Sequence, residues 1–243
     1  MNVLALETSG YQLSVALWCD GQILERSEEH RQGGSGRVLP WVQDLLAEAG
    51  LSLSQIDGVA FGAGPGSFTG LRLACGVAQG LACGLEVPVM GVGTLEALAL
   101  AADVSQRAGD EAGAGVGMAA PLQVLACLDA RMNEVYCAAY RLVEGRPEEV
   151  LAPFVAAPEE VVFELPGNWL GCGDGFATDP ELLQGRLYRR MPELRPGAAA
   201  VARLAVPRLA RGEGQDAAQA APLYVRDKVA LTTAERLARG GLK

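Results

Sequence analysis

The chain has 243 residues, half of them hydrophobic, with 20 Lys+Arg against 29 Asp+Glu for a formal charge of −9, which is enough length and apolar content for one large domain or two small ones. So acidic a balance repels phosphate backbones, and no basic patch is legible, which argues against direct nucleic-acid binding by this chain alone. Glu7 follows a start without basic residues, unlike a signal peptide, and Arg72 and Gln79 interrupt the longest apolar run, so a cytoplasmic protein without a membrane span is expected.

In chain order, residues 2–8 read as a strand, Gln12–Trp18 as a second, and Asp20-Gly21 as the hairpin turn into a third near Ile23–Ser27. A polar, glycine-rich loop at 32–36 leads to a helix whose face carries Val38, Trp41, Val42, Leu45, Leu46 and Ala49, closed by Gly50. Pro40 either sits in the first turn of that helix or kinks it. A short apolar strand, Gly58-Val59-Ala60-Phe61, precedes the sharpest feature of the sequence, Gly62-Ala63-Gly64-Pro65-Gly66-Ser67-Phe68-Thr69-Gly70, and a helical run follows to Leu85. Ser67 or Thr69 is placed to cap that run.

The glycine stretch lacks the Gly-Lys-Ser/Thr of a P-loop and the G-x-G-x-x-G order of a dinucleotide fold, so a plain sharp turn is preferred to a phosphate cradle. Within the helix, Gly76, Gly80 and Gly84 recur every four residues as a smooth stripe beside Leu73, Val77 and Leu81. Each interior glycine costs about 1 kcal/mol relative to alanine, a cost that close approach of another backbone would offset. That backbone could belong to the chain's own sheet or to a partner; spacing alone does not choose.

Residues 87–92 read as another strand and Thr94 as the cap of a further helix with Glu96 in its first turn, so the order is β-β-β-α-β-α-β-α. After a Gly/Ala-rich stretch at 107–120, read as a loop or boundary, the pattern restarts with strands at Leu122–Asp129 and Val135–Tyr140 and a turn at Glu144-Gly145. A short helix over Pro158–Leu165, a strand at Trp169–Cys172, a break at Gly173-Asp174-Gly175, a helix over Ala198–Arg211 and a polar linker at Gly212–Ala221 follow. Leu223–Arg226 is extended, and Thr232-x-x-Glu235 has the form of a capping box. The two similar halves suggest a duplication of pattern, with weak residue-level support.

The six cysteines show no metal spacing and mostly lie in apolar runs, so they read as reduced core residues. His30 is the single histidine, which excludes a two-histidine metal site and limits any Ser-His-Asp triad; a peptidase reading through Ser67 fails because the turn is not G-x-S-x-G.

Several strings together, Leu4-Ala5-Leu6-Glu7-Thr8-Ser9, Val38-Leu39-Pro40, the turn Gly62–Gly70 with Leu71-Arg72, Ala78-Gln79-Gly80-Leu81-Ala82, Leu128–Tyr136 and Pro222-Leu223-Tyr224-Val225-Arg226, strongly resemble the bacterial TsaB (YeaZ) family. The resemblance is dense to about residue 140 and returns at the tail. It implies an α/β chain with the actin/Hsp70-like fold: an N-terminal subdomain at 1–106, a C-terminal one at 107–221, and a tail at 222–243 that joins one of them. It further implies a noncatalytic scaffold for making N6-threonylcarbamoyladenosine at position 37 of tRNAs reading codons that begin with A. TsaD, the catalytic and metal-bearing paralogue, would be its partner, with the ATPase TsaE joining them, a homodimer forming alone, and tRNA reached only through the complex.

By the same resemblance, the first two helices form the docking surface, with Trp41, Leu45, Leu73, Val77, Leu81 and the Gly76/Gly80/Gly84 stripe as candidates. The nucleotide cleft of the fold would correspond to Glu7, Thr8, Ser9, Gly10, Asp129, Arg131, Gly173 and Asp174. Against active relatives of the fold it looks degraded: Glu7 stands where an Asp is expected, and Leu128-Asp129-Ala130-Arg131 lacks the glycines that close backbone N–H groups on phosphate. No catalytic residue, metal or cofactor is therefore expected, with room left for weak ATP or ADP binding, or for these carboxylates to cap turns only. The contrary reading is a stand-alone ATPase or acyltransferase using Glu7 and Asp129 around magnesium ATP.

Overall fold

The computed structural model describes residues 1–226 apart from 30–33, 112–120, 163, 165, 180 and 184. His30 and the Thr232/Glu235 box lie outside the described residues.

The first lobe opens with β1 (Val3–Glu7), β2 (Gln12–Cys19) and β3 (Gln22–Glu29). Asp20 and Gly21 both take positive φ, 49° and 83°, the backbone that lets a two-residue turn follow the natural strand twist. The antiparallel pair sets Val3 opposite Trp18 and Glu7 opposite Ser14, and β4 (Gly58–Gly64) runs parallel to β1 with Val3 opposite Gly58. With β5 (Val89–Gly93) the sheet order is β3-β2-β1-β4-β5. All of β1 and β4 is buried, as expected for central strands covered on both faces.

Two helices cover one face. In α1 (Val38–Ala49), Val38, Trp41, Val42, Leu45 and Leu46 are buried, and Gly50 at φ 66° ends the helix by donating to the Ala47 carbonyl at 3.1 Å. Pro40 is in the first turn, where its missing N–H has no intrahelical acceptor, so no kink arises. α2 (Phe68–Leu85) buries Leu71, Ala74, Cys75, Ala78 and Ala82. Two expectations about caps are corrected. Ser67 occupies the N-cap of α2 but its side chain makes no capping bond, and the Thr94 hydroxyl is buried without a hydrogen-bond partner. α2 also has the length and mean hydropathy, 1.2, of a membrane span, which the sequence reading had discounted; here one face packs on its own sheet and Gln79 donates to the Ala220 carbonyl at 3.0 Å.

The second lobe repeats this topology. β6 (Leu122–Arg131), β7 (Glu134–Val143), β8 (Arg146–Ala156), β9 (Trp169–Cys172) and β10 (Leu187–Met191) form a sheet in the order β10-β9-β6-β7-β8. Its covering helices are much reduced. The expected helix over Pro158–Leu165 is a single 3-10 turn, Pro158–Glu160, and α4 spans only Gly175–Thr178. Strand β10 was not foreseen, because its Tyr188-Arg189-Arg190 centre reads as polar while it lies at a sheet edge with both Tyr188 and Arg189 exposed.

The last helix of each half covers the sheet of the other. α3 (Thr94–Glu111) sets Leu95, Leu98, Ala99 and Ala102 against Val124, Ala126, Ala138 and Tyr140 of the second sheet. α5 (Ala198–Ala210) sets Ala198, Val201, Ala202 and Ala205 against Val3, Ala5, Ala16 and Ala60 of the first. α3 runs through the first part of the stretch read as a loop at 107–120, whose remainder lies outside the described residues. The stretch at 212–221 is more than a linker, since Gln215 exchanges backbone bonds of 2.9 Å with Val89.

Neither lobe can complete its core without a helix from the other half, so calorimetry is expected to record one cooperative transition. Leu98→Ala, which empties a fully buried site on α3, should cost about 2–5 kcal/mol and lower that single transition without splitting it; two separate transitions would contradict the exchange of helices.

Candidate functional site

The C-terminal ends of β1, β4 and β6 meet at a cleft of about 710 Å³ between the lobes, the position where parallel strands of two half-sheets leave a crevice. Of the residues that the sequence assigned to a nucleotide cleft, Thr8, Ser9, Gly10, Asp129, Arg131 and Asp174 line it. Glu7 and Gly173 do not, and both are corrected to positions behind its wall.

Glu7 is fully buried. Its Oε1 accepts the Ser9 N–H at 2.6 Å, its Oε2 has no partner, and a Cβ added at Gly62 would overlap the carboxyl. Burial pushes this carboxyl above the ordinary glutamate range, and hydrogen bonds from Ser9 and the Thr8 backbone oppose the shift only in part. The glycine turn closes against the same loop from outside. Ser67 N–H donates to the Ser9 carbonyl at 2.6 Å, the Thr8 hydroxyl donates to the Gly70 carbonyl at 2.6 Å, and any side chain at Gly70 would run into the Thr8 carbonyl. The turn thus packs tightly on residues 7–9 through Gly62, Gly66 and Gly70, while Pro65 to Gly70 also line the cleft.

Across the cleft, the carboxylates are similarly engaged. Asp129 accepts the Arg131 N–H at 2.7 Å and pairs with its guanidinium at 3.0 Å, while Asp174 Oδ1 accepts the Asp129 N–H at 2.9 Å. Burial raises the Asp174 carboxyl above its usual range, partly offset by that N–H and by Arg195. The Arg131 guanidinium lies 4.6 Å from the centre of the Tyr11 ring and so bridges the lobes. Gly173 and Gly175 are packed on Cys127 of β6, and Gly171 on Leu187 and Phe176, so these glycines serve the second core and present no open loop. Among the described residues no set of three His, Cys, Asp or Glu side chains is arranged to hold a metal ion.

The sequence reading did not place Tyr11, Tyr136, Tyr224 and Arg226 in this wall. Tyr136, Tyr224 and Arg226 fall within strings that carry the family resemblance, but tertiary contacts alone bring them to the cleft.

The candidate docking helices divide sharply. Leu45 is fully buried and Trp41 nearly so, with Arg37 5.9 Å above the Trp41 ring; both are corrected to core residues of α1. Leu73, Val77 and Leu81 are half-buried against that core. Gly76, Gly80 and Gly84 are exposed, and a Cβ at any of them would meet nothing within 4 Å, so the stripe faces away from its own sheet.

Known proteins agree with this architecture. Residues 27–175 match the family model described as "TsaD: tRNA N6-adenosine threonylcarbamoyltransferase". The tRNA threonylcarbamoyladenosine biosynthesis protein TsaB of Escherichia coli is 38% identical, over 95% of this chain and 96% of its own, and that of Haemophilus influenzae 33% identical, over 94% and 95%. The solved YeaZ structure from Pseudomonas aeruginosa superposes with a TM-score of 0.82 at 39% identity, over 92% of this chain and 99% of that one. With such relatives along nearly its whole length and two mixed sheets in the actin-like arrangement, the chain belongs to the TsaB (YeaZ) family of tRNA threonylcarbamoyladenosine biosynthesis proteins.

Proposed function

We propose that this chain serves threonylcarbamoyladenosine synthesis as a noncatalytic scaffold: it binds the catalytic subunit TsaD, TsaE joins the pair, and the chain dimerises with itself when TsaD is absent. The observation that carries this reading is α2, an apolar helix with one face in the core and an open glycine stripe on the other. Interior glycines weaken a helix, and among the described residues nothing lies within 4 Å of a Cβ placed at Gly76, Gly80 or Gly84 to offset that cost. A helix of another chain laid along the stripe would do so by close backbone approach. The substrate tRNA then meets TsaD, in keeping with the acidity of this chain.

The cleft supports the noncatalytic half of the reading. A magnesium-dependent phosphoryl transfer needs carboxylates open to the ion and backbone N–H groups open to phosphate. Here Glu7 is sealed behind the wall and Asp129 is committed to Arg131, while the Ser67 N–H is spent on Ser9. The residues present do not fit a hydrolytic nucleotide site, and we assign the cleft at most weak binding of ATP or ADP.

Mixed with TsaD from the same organism, the protein is expected to associate in light scattering, and threonylcarbamoyl transfer to tRNA should require both. Gly80→Leu places a helix-favouring side chain on an open surface, so the monomer's unfolding midpoint should hold or rise while association weakens at least about tenfold, about 1.4 kcal/mol; undiminished co-elution with TsaD would remove α2 from the interface.

Glu7→Gln separates the scaffold from the stand-alone ATPase. The Gln carbonyl still accepts the Ser9 N–H, but the ionisable group is gone. Because the folded-state value is raised, the wild-type carboxyl is neutral at no cost at low pH and disfavours folding as pH rises above the ordinary 4.5. Denaturant titrations should therefore give matching stabilities below pH 4.5 and a variant increasingly more stable than wild type above it, with transfer by the TsaD mixture unchanged. ATP turnover by the protein alone that vanishes in this variant would overturn the scaffold reading.

A further inference from the structure

Residues Leu223–Arg226, just after Pro222, line the cleft and touch both lobes. On the first lobe, the Leu223 N–H donates to the Ala63 carbonyl at 2.7 Å, and Gly64 has no room for a side chain because the Leu223 carbonyl lies against it. The Tyr224 ring sits 5.4 Å from that of Phe68, at the start of α2, and its hydroxyl meets Arg72 Nε at 3.4 Å. On the second lobe, Val225 packs against the core beneath β6 and β7. Arg226 pairs with Glu134 at the start of β7 and stands 5.7 Å over the Tyr136 ring, with its own side chain only 14% exposed.

Apart from this segment, Arg131 stacked on Tyr11 bridges the cleft among the described residues. Five consecutive residues thus carry one anchor in each lobe, of different chemistry: a backbone bond with an aromatic contact on one side, and a charged pair on the other. A segment serving only to finish one core would need a single anchor. We infer that residues 222–226 are a strap that holds the two lobes closed over the cleft, and that breaking the Arg226–Glu134 anchor lets the lobes part. The Arg226–Glu134 pair is the releasable end, since side-chain atoms alone make it, and its loss leaves a largely buried guanidinium without its carboxylate. The backbone bond to Ala63 is the fixed end. The strap does not depend on the docking role of α2, and it can fail while that role stands.

Amide hydrogen exchange on the full-length protein tests it. Arg226→Glu should raise exchange at least tenfold in the strap and also in both lips of the cleft, residues 8–11 and 128–132, with β1 and β7 remaining protected as proof of fold. The double variant Arg226→Glu/Glu134→Arg, which restores the pair with reversed signs, should return both lips to within twofold of wild type. Tyr224→Ala, acting from the other lobe, should open the same two lips. Unchanged exchange in the lips in Arg226→Glu and Tyr224→Ala, or faster exchange confined to 222–226, would overturn the strap; so would failure of the charge reversal to restore protection.

Discussion

The contact on which the molecule turns is the seating of the glycine stretch on the end of β1. Three side-chain-free positions, Gly62, Gly66 and Gly70, allow residues 62–70 to lie directly on Glu7, Thr8 and Ser9, with the Ser67 N–H and the Thr8 hydroxyl each closing a bond of 2.6 Å. The approach settles where α2 begins and therefore which of its faces meets the sheet. It also engages the Thr8 hydroxyl and the Ser9 carbonyl at the strand end, where a doubly wound fold ordinarily receives its ligand. One constraint thus sets the outward face of the helix and the shape of the cleft wall beneath it.

Burial of Glu7 follows from the same contact. A carboxyl at the C-terminal end of a central strand would face the crevice if the neighbouring turn stood off, but here Gly62 and the Ser9 loop enclose it. The cost of burying a carboxyl is moderated because its pKa rises and one oxygen accepts a backbone N–H. Asp174 is treated in the same way in the second lobe, where it holds the Asp129 backbone. Each carboxylate thus fastens a backbone N–H of its own lobe, Glu7 from behind the wall and Asp174 from within it.

Strands and α1 were legible because their signals are local: Asp20-Gly21 for the hairpin, the apolar spacing from Val38 to Leu46, and Gly50 as a left-handed cap. The spacing placed Trp41 and Leu45 on the buried face of α1, whereas their candidacy for docking came from the resemblance, and periodicity does not say whether the chain or a partner buries a face. Strand β10 escaped notice because an edge strand needs apolar residues on only one side, and Tyr188-Arg189-Arg190 supplies almost none. The cleft wall from Tyr11, Tyr136, Tyr224 and Arg226 joins residues more than two hundred positions apart, which no periodicity encodes.

The two lobes share strand order but have diverged in what covers them. The first keeps two full helices, α1 and α2, on its free face; the second keeps a 3-10 turn and the four-residue α4 in the equivalent positions. A short cover can bury only a short apolar stretch, and the second sheet compensates with larger strands, β6 to β8 running 10, 10 and 11 residues. The outward helical surface, with its open glycines, therefore exists on one lobe alone. Because α3 and α5 knit each sheet to the opposite half, that surface is carried by a body whose lobes share their cores and not by a detachable module. Any force applied along α2 reaches the cleft through Phe68, which touches the Tyr224 ring, and through Gly70, which is bonded to Thr8.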